Sequence, residues 1–352
     1  MTHEASRVVD GDLTTGWSEG ADSAARAGVS YVRSPENICL EEAVMRSDNK
    51  KIYSGIDNLP RGSAPDTIIP GCMVLEGGAF RGLYGEGALD CLMEQGINLQ
   101  CTIGVSAGAC NGWHYVSGQI GRSARVNLGC RHDPRYVGAI AMKENAGIMG
   151  FKYFFEDYEK EYDDPFDRER FNRPERRYIA VATNCRTGRP VCFEKGKCSE
   201  IDQALRASAS MPYLSKPVMV EGKSCLDGGC SVKVPFRWAL RHDFDKIVVI
   251  RTRDRSYRRR ENSLDTKMAG IVYHSCPELA AKLKTSPARS NRECDQMDRL
   301  EAEGRIFVIA PSEPVTVGRV ESDMEKLGAL YWLGYHDAKL ALPKLQSYLS
   351  AD

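Results

Sequence analysis

Features typical of membrane, secreted and nucleic-acid-binding proteins are scarce in this sequence of 352 residues. No apolar run is long enough to span a bilayer, and the first residues are polar and lack the apolar core of a secretory signal. Forty-eight basic residues balance forty-eight acidic ones, so the net charge provides no long-range attraction for nucleic acid. We therefore expect a globular, cytoplasmic protein that binds no nucleic acid.

Patterns typical of metal sites are also missing. The thirteen cysteines include no Cys-x-x-Cys pair, and several of them lie in apolar, strand-like runs, which is typical of reduced thiols. The six histidines have no metal-ligand spacing with the cysteines or with one another. The sequence thus predicts a protein of a reducing compartment without a zinc site.

The composition changes along the chain and suggests three regions. Residues 1–66 are rich in Ser, Gly, Asp and Glu and lack sustained periodicity, which predicts a partly flexible N-terminal extension. From there, short apolar runs alternate with segments of helical spacing, which is typical of a three-layer α/β/α fold with a mainly parallel sheet. We predict a main α/β domain over residues 67–260, with an insertion of short helices and loops over 120–175, and a helical and strand segment over 261–352 packed on it.

Six apolar runs are predicted strands, and two helices have clear end signals. Gly96 is expected to end the first helix. Ser322–Glu325 has the form of a capping box that begins the last helix, which we expect Pro343 to end. The predicted strands are residues 72–75, 101–105, 178–183, 191–193, 247–250 and 306–309.

Ser106 lies in the pattern Gly104-x-Ser106-x-Gly108, between a strand-like run and a helix-like segment. Small flanking residues permit the tight strand-to-helix turn of a nucleophile elbow, which exposes the serine hydroxyl at the edge of the sheet. The helix N-terminus that follows favours developing negative charge. Glycine and serine are common in ordinary βα turns, so the pattern alone favours a structural turn, and its placement between a strand and a helix makes a catalytic serine equally consistent with it.

Upstream of Ser106, the turn Gly77-Gly78-Ala79-Phe80-Arg81-Gly82 also connects a strand to a helix. Its glycines expose backbone N–H groups at a helix N-terminus, which suits a phosphate or the oxyanion of acyl transfer. A nucleotide-dependent enzyme that uses this turn is an alternative. However, the glycines do not form Gly-x-Gly-x-x-Gly, and no Gly-Lys-Ser/Thr follows.

A third candidate is Asp227, which is followed by Gly228 and Gly229. Taken alone, an Asp followed by two glycines usually indicates a turn. Its value as a catalytic candidate comes from its combination with the two earlier motifs.

Together, the three motifs resemble the ordered motif set of patatin-like phospholipases. The similarity covers about residues 72–240 and includes the small-residue block 207–212 ahead of the Asp; the later part resembles the bacterial subgroup with an added C-terminal segment. One departure is Ala79, where a third glycine is common in that family. The matching motifs are Glu76-Gly77-Gly78-Ala79-Phe80-Arg81-Gly82, Gly104-Val105-Ser106-Ala107-Gly108 and Asp227-Gly228-Gly229.

This resemblance implies a hydrolase of the phospholipase A, lysophospholipase or esterase type that works without metal or cofactor through a Ser-Asp dyad. Ser106 would be the nucleophile and Asp227 the base. The substrate would be a lipid or lysolipid ester, taken up from solution or at a membrane surface. The oxyanion-hole loop would comprise Gly77, Gly78, Ala79, Arg81 and Gly82, with Arg81 bracing it.

Three alternatives concern function. A Ser-His-Asp triad would need a late histidine, and His274 and His336 are the candidates; His114 lies on the helix after Ser106 and is expected to be structural. A non-catalytic lipid-binding or scaffold protein could retain the same fold. Finally, a nucleotide-dependent enzyme could use the Gly77 turn.

Two further segments have open interpretations. The basic segment with Arg251, Arg253, Arg255, Arg258, Arg259 and Arg260 is either a solvated loop or a contact for phosphate head groups. The aromatic segment with Phe151, Tyr153, Phe154, Phe155 and Tyr158 is expected to line an acyl pocket, to form a lid, or to be a packed insertion.

Overall fold

A mainly parallel sheet forms the centre of the computed structural model, which describes residues 52–261 and 263–351, with residues 263–266 described by their backbone alone. The path of paired strands is β10-β9-β2-β3-β5-β8-β7, and β6 pairs with the opposite edge of β5. The pairings from β10 to β5 are parallel, whereas the pairings β5–β6, β5–β8 and β8–β7 are antiparallel. The strands are β1 (Gly62–Ser63), β2 (Ile69–Leu75), β3 (Leu99–Val105), β4 (Gln119–Ile120), β5 (Arg177–Asn184), β6 (Pro190–Glu194), β7 (Val218–Val220), β8 (Lys223–Asp227), β9 (Ile247–Ile250) and β10 (Phe307–Ile309).

Helices cover both faces of the sheet. They are α1 (Gly82–Glu94), α2 (Ala107–Ser117), α3 (Arg122–Cys130), α4 (Ala139–Asn145), α5 (Tyr158–Tyr162), α6 (Arg168–Asn172), α7 (Ile201–Ser208), α8 (Phe236–Arg241), α9 (Ser263–Val272), α10 (Pro277–Lys284), α11 (Ser286–Ala302) and α12 (Met324–Ser350). None of these helices is both long and apolar enough to cross a bilayer.

The side chains of β2 alternate between two hydrophobic cores, as expected for a strand buried on both faces. Met73 and Leu75 pack into the core that contains α1, α2 and α12. Cys72 and Val74 face the opposite core, which contains α8 and α11. These two cores confirm the predicted three-layer α/β/α fold with a mainly parallel sheet.

Residues 52–66 pack against the α/β/α layers. Leu59 and Ala64 are buried, and β1 pairs antiparallel with β4. The remainder of the predicted extension 1–66, up to residue 51, lies outside the described residues. The domain boundaries at residues 66 and 260 remain predictions.

The last helix differs from its prediction at both ends. Its N-cap is Asp323, whose carboxylate accepts hydrogen bonds from the N–H groups of Glu325 and Lys326. The predicted capping box is wrong because the Glu325 carboxylate instead accepts hydrogen bonds from the backbone and side chain of Ser54.

The expectation that Pro343 ends this helix is also wrong, since α12 continues to Ser350. Proline removes the hydrogen bond to the carbonyl four residues earlier, and here that residue, Lys339, is exposed, where water can solvate the carbonyl. Buried Ala338 and Leu345 anchor the helix on both sides of the proline.

Helices α1 and α12 pack closely because glycines face each other at their crossing. A Cβ at Gly334 of α12 would overlap the carbonyl oxygen of Tyr84, and one at Gly87 of α1 would overlap that of Tyr331. Tyr331 also donates a hydrogen bond of 2.8 Å to the buried carboxylate of Asp90. The C-terminal helix is thus fitted to the helix that follows the glycine-rich turn.

We predict that Gly334→Ala lowers the free energy of unfolding by about 1–3 kcal/mol, because the added methyl group forces the two helices apart. Gly270→Ala in α9 is the matched control, since its new methyl group would meet only the flexible end of Lys284, at 3.4 Å. Alanine in a helix is favoured over glycine, so the control should be neutral or slightly stabilising. Thermal unfolding of both variants tests this, and equal melting temperatures would contradict it.

Candidate active site

The register of three neighbouring strands brings Ser106 and Asp227 together. Val105, the last residue of β3, pairs with Val181 of β5, and the next residue of β5, Ala182, pairs with Asp227 at the end of β8. β6 pairs with the opposite edge of β5, so β3 and β8 meet end to end along one edge, and Ser106, which directly follows Val105, lies next to Asp227. Ser106 Oγ donates a hydrogen bond of 2.7 Å to Asp227 Oδ2.

The turn at Ser106 has a strained backbone. Its φ of +56° and ψ of −126° lie in a region that serine rarely adopts. Glycines make this turn possible, because a Cβ at Gly108 would lie 2.6 Å from the Leu75 carbonyl oxygen and one at Gly104 would overlap the Gly108 carbonyl. Strand β3 and helix α2 therefore meet in the strand-turn-helix geometry that the pattern predicts.

Ser208, at the end of α7, fixes the backbone of this elbow. Its Oγ accepts a hydrogen bond of 2.9 Å from Ser106 N and donates one of 2.6 Å to the Val181 carbonyl. The Ser106 N–H is therefore already occupied. In the sequence, Ser208 is one member of the small-residue block 207–212, and nothing in that pattern distinguishes it from Ser210.

Asp227 is held by both its backbone and its side chain. Its Oδ1 accepts a hydrogen bond of 2.7 Å from Gly229 N, and its carbonyl accepts one of 2.9 Å from Thr183 Oγ1. Burial raises the pKa of the Asp227 carboxyl, while the positive charge of Lys233 and the hydrogen bond from Ser106 act in the opposite direction. A carboxylate with a raised pKa is a better proton acceptor than one in water.

The two glycines after Asp227 allow its loop to approach the sheet. A Cβ at Gly228 would overlap the carbonyl oxygen of Val181, and one at Gly229 would lie 2.9 Å from Asp227 Oδ1. Each glycine is therefore required by a close contact.

In the glycine-rich turn, three successive N–H groups are free. Those of Gly77, Gly78 and Ala79 donate to no acceptor within the described part of the chain. By contrast, Arg81 N donates to the Gly78 carbonyl, and Gly82 N donates to carbonyls of residues 79 and 80. The first three residues of the predicted oxyanion set thus have the donors that an anion requires.

This turn lies directly against the elbow. A Cβ at Gly77 would be 2.7 Å from the carbonyl oxygen of Val105 and 2.9 Å from Ser106 Cβ. Ala79 has a φ of +51°, in the left-handed region that favours glycine. The common glycine at this position therefore has a physical basis, and alanine here costs about 1 kcal/mol or more.

The side chain of Arg81 connects the turn to the C-terminal segment. Its Nε donates a hydrogen bond of 2.9 Å to the Val317 carbonyl. Phe80 N in turn donates a 3.4 Å hydrogen bond to the Arg319 carbonyl. Burial, assisted by nearby arginines, lowers the pKa of Arg81 to about 10, so it remains charged at neutral pH. These contacts hold residues 317–319 beside the glycine-rich turn.

An apolar cavity extends from Ser106 into the predicted insertion. Within the aromatic segment, Phe151 and Phe154 line this cavity, Tyr153 and Tyr158 are buried, and Phe155 contacts Trp113. The apolar wall includes Phe80, Leu83, Val137, Ile148, Phe151 and Phe154.

A single carboxyl group, that of Glu86, lies on the wall of this cavity. Its Oε1 accepts a hydrogen bond of 2.8 Å from Asn127 Nδ2. Burial, together with the charge of Asp90, raises the pKa of Glu86 to about 8. Glu86 is therefore mainly neutral at pH 7, and the charged side chain on the cavity wall is that of Arg319.

A second, more polar cavity opens on the other side of the dyad and contains both Ser106 and Asp227. We call it the basic cleft, because cationic side chains dominate its charged lining. Its carboxylates are Glu76 and Asp227. Its cations are Arg81, Lys233, Arg251, Arg253, Arg259, Arg260, Lys284 and Arg319.

The triad candidates are not close partners of Ser106. His114 is buried beside Arg122, and burial lowers its pKa well below the ordinary value. His274 and His336 are exposed, and neither lines a cavity that contains Ser106. Within the described residues, the side-chain partner of Ser106 Oγ is Asp227.

The comparisons with curated proteins identify relatives over about half of the chain. It is 27% identical over 186 residues to the uncharacterized protein YjjU of Escherichia coli strain K12, covering 51% of each chain. It is 28% identical over 177 residues to the uncharacterized NTE family protein Rv1063c of Mycobacterium tuberculosis strain H37Rv, covering 50% of this chain and 46% of that protein. The chain therefore spans about half the length of the curated relatives it matches.

The chain also resembles a solved structure and matches two family models. The crystal structure of VipD from Legionella pneumophila is similar over 83% of this chain and 69% of that one, with a TM-score of 0.42 and 14% identity. Residues 276–350 match a domain of unknown function, DUF6363. Residues 73–240, which include all three motifs, match the model for patatin-like phospholipases. The match identifies this segment, a little under half of the chain, as a patatin-like phospholipase domain.

Proposed function

We propose that this protein is a serine hydrolase that cleaves carboxylic esters of lipids, with Ser106 as nucleophile and Asp227 as base. The observation that carries the proposal is the 2.7 Å hydrogen bond from Ser106 Oγ to Asp227 Oδ2, located between an apolar cavity and a polar cleft. The match of residues 73–240 to patatin-like phospholipases supports the same type of reaction. The chain spans about half of its curated relatives, so the proposal concerns the described site.

The reaction begins when Ser106 Oγ attacks the ester carbonyl carbon and its proton passes to Asp227. The hydrogen bond of Asp227 Oδ1 with Gly229 N keeps Oδ2 directed at Ser106. The resulting oxyanion accepts hydrogen bonds from the free N–H groups of Gly77, Gly78 and Ala79. The fold already holds these donors in place, so they need not reorient when the negative charge develops, as water molecules would. The alcohol then leaves with the proton from Asp227, and an acyl-enzyme remains.

Hydrolysis of the acyl-enzyme uses the same groups again. Asp227 accepts a proton from a water molecule, whose oxygen attacks the acyl carbon. The bond from the acyl carbon to Ser106 Oγ then breaks, Oγ takes the proton back from Asp227, and the fatty acid is released. Throughout, the acyl chain occupies the apolar cavity, where its transfer from water is favourable. The alcohol part of the ester faces the polar cleft.

We predict that Ser106→Ala reduces turnover of a p-nitrophenyl ester by about a thousandfold or more, because the nucleophile is lost. Asp227→Asn should cause a loss on the order of a thousandfold, since an amide cannot accept the proton. The controls His336→Ala and His274→Ala should retain wild-type kcat/KM. Steady-state kinetics and labelling by a fluorophosphonate test this set.

The dyad variants and the histidine variants together distinguish a Ser-Asp dyad from a Ser-His-Asp triad. Unchanged turnover in Ser106→Ala would contradict the proposed nucleophile. Loss of activity in His336→Ala together with an active Asp227→Asn enzyme would indicate a triad instead.

The pH dependence provides a separate prediction. Asp227 must be ionised to act as a base, and burial raises its pKa, so kcat/KM should fall as the pH drops through a value above the ordinary aspartate pKa of about 3.9. Lys233 lowers the pKa of Asp227, so Lys233→Met should move this acid limb to higher pH. Lys233→Arg retains the charge and should leave the limb near its wild-type position.

An uncharged ester is the appropriate substrate for these pH profiles, because its own ionisation then plays no part. An acid limb that stays in place or moves to lower pH in Lys233→Met would contradict the assignment of Asp227 as the base.

A further inference from the structure

The arginines of residues 251–260 divide into two groups with different surroundings. Arg255 pairs with Glu301, and Arg258 pairs with Asp295 and Asp298; neither lines the basic cleft. In contrast, Arg251, Arg253, Arg259 and Arg260 line it. The segment is therefore not simply a solvated loop, because one group of its cations faces the dyad.

Several cations of the cleft have side chains without a partner. Within the part of the chain that the structure describes, they include Lys233, Arg259 and Arg319, which make no side-chain hydrogen bond or ion pair. The Nε atom of Arg259 is buried without an acceptor, and an unpaired buried donor costs free energy. Lys233, Arg259 and Arg319 thus have unused capacity to bind an anion.

The same three side chains lie close enough to repel one another. After burial, the charge of Arg259 is the largest cause that lowers the pKa of Lys233, to about 8, and Arg319 contributes to the same effect. Arg319 also lowers the pKa of Arg259. A ligand with negative charge would relieve this repulsion.

The basic cleft also lies where the head group of a bound lipid ester would be. Ser106 lies on the walls of both the apolar cavity and the basic cleft. An acyl chain in the cleft would leave the cations poorly solvated, so the chain favours the apolar cavity. The alcohol part of the ester must then extend past Ser106 into the cleft.

We propose that Lys233, Arg259 and Arg319 select lipid esters whose alcohol part carries a phosphate group with net negative charge. This inference rests on the proposed function. Arg259 and Arg319 both lie outside the segment 73–240 that matches the family model. Two of the three cations therefore come from segments outside the family domain, and Lys233 comes from within it.

The direct test compares two lysolipids with the same acyl chain, a lysophosphatidic acid and a lysophosphatidylcholine. The measured quantity is the ratio of their kcat/KM values. Wild type should favour the anionic substrate, and Arg259→Gln and Arg319→Gln should each lower the ratio about tenfold, the effect of losing one hydrogen bond to a charged group. Arg258→Gln is the matched control, because Arg258 is paired elsewhere, and should leave the ratio unchanged.

Thermal unfolding of each variant verifies that it is folded. The inference would be overturned if the wild-type ratio of kcat/KM values for the two lysolipids is one. It would also be overturned if Arg259→Gln and Arg319→Gln leave that ratio unchanged. If Ser106→Ala still hydrolyses both substrates, the proposed function fails. If hydrolysis needs Ser106 but shows no preference for the anionic substrate, only this inference fails.

A binding measurement on Ser106→Ala removes the dependence on turnover. Calorimetry should show that glycerol 3-phosphate binds more tightly than inorganic phosphate, and that Arg319→Gln in the same background weakens the binding about tenfold. Binding of inorganic phosphate as tight as that of glycerol 3-phosphate would assign the cleft to free phosphate and overturn its role in head-group selection.

Discussion

The hydrogen bond between Ser106 and Asp227 depends on β5, the strand with which both of the strands that carry them pair. β3 pairs parallel and β8 antiparallel with the same edge of β5, and the adjacent residues Val181 and Ala182 bring the ends of these two strands together. Ser208 connects the elbow to this strand, and Thr183 connects the base to it. The site is thus positioned by a rigid strand and its hydrogen bonds, which is how precise constellations are maintained.

Close approach of backbones is the second constraint, and it explains the glycines. Those at 77, 104, 108 and 228 lie where a Cβ would meet a main-chain oxygen or carbon of a neighbouring segment. The same principle operates away from the site, where Gly87 and Gly334 allow α1 and α12 to pack. The donor-rich turn, the elbow and the C-terminal helix are therefore parts of one tightly packed unit.

The motifs alone predicted much of the site, because a nucleophile elbow and a glycine-rich turn are local structures with local sequence requirements. Six predicted strands are present, with ends shifted by up to three residues. Ser208 could not be identified, because its role depends on where α7 places it across the sheet. The sequence also could not predict which arginines of residues 251–260 form ion pairs and which line the cleft, since the ion pairs depend on acidic side chains of α11. Pro343 was misjudged because packing on both sides of it outweighs one lost hydrogen bond.

The proposed mechanism has an apolar cavity for the acyl chain, a basic cleft for the head group, and a serine at their junction. Its central claim is that Ser106 becomes acylated. The most direct measurement is mass spectrometry of the protein quenched in acid during turnover of a lipid ester. We expect a mass increase equal to the acyl group, on the peptide that contains Ser106. An unmodified Ser106 peptide under conditions of rapid turnover, or the acyl group on another residue, would contradict the account.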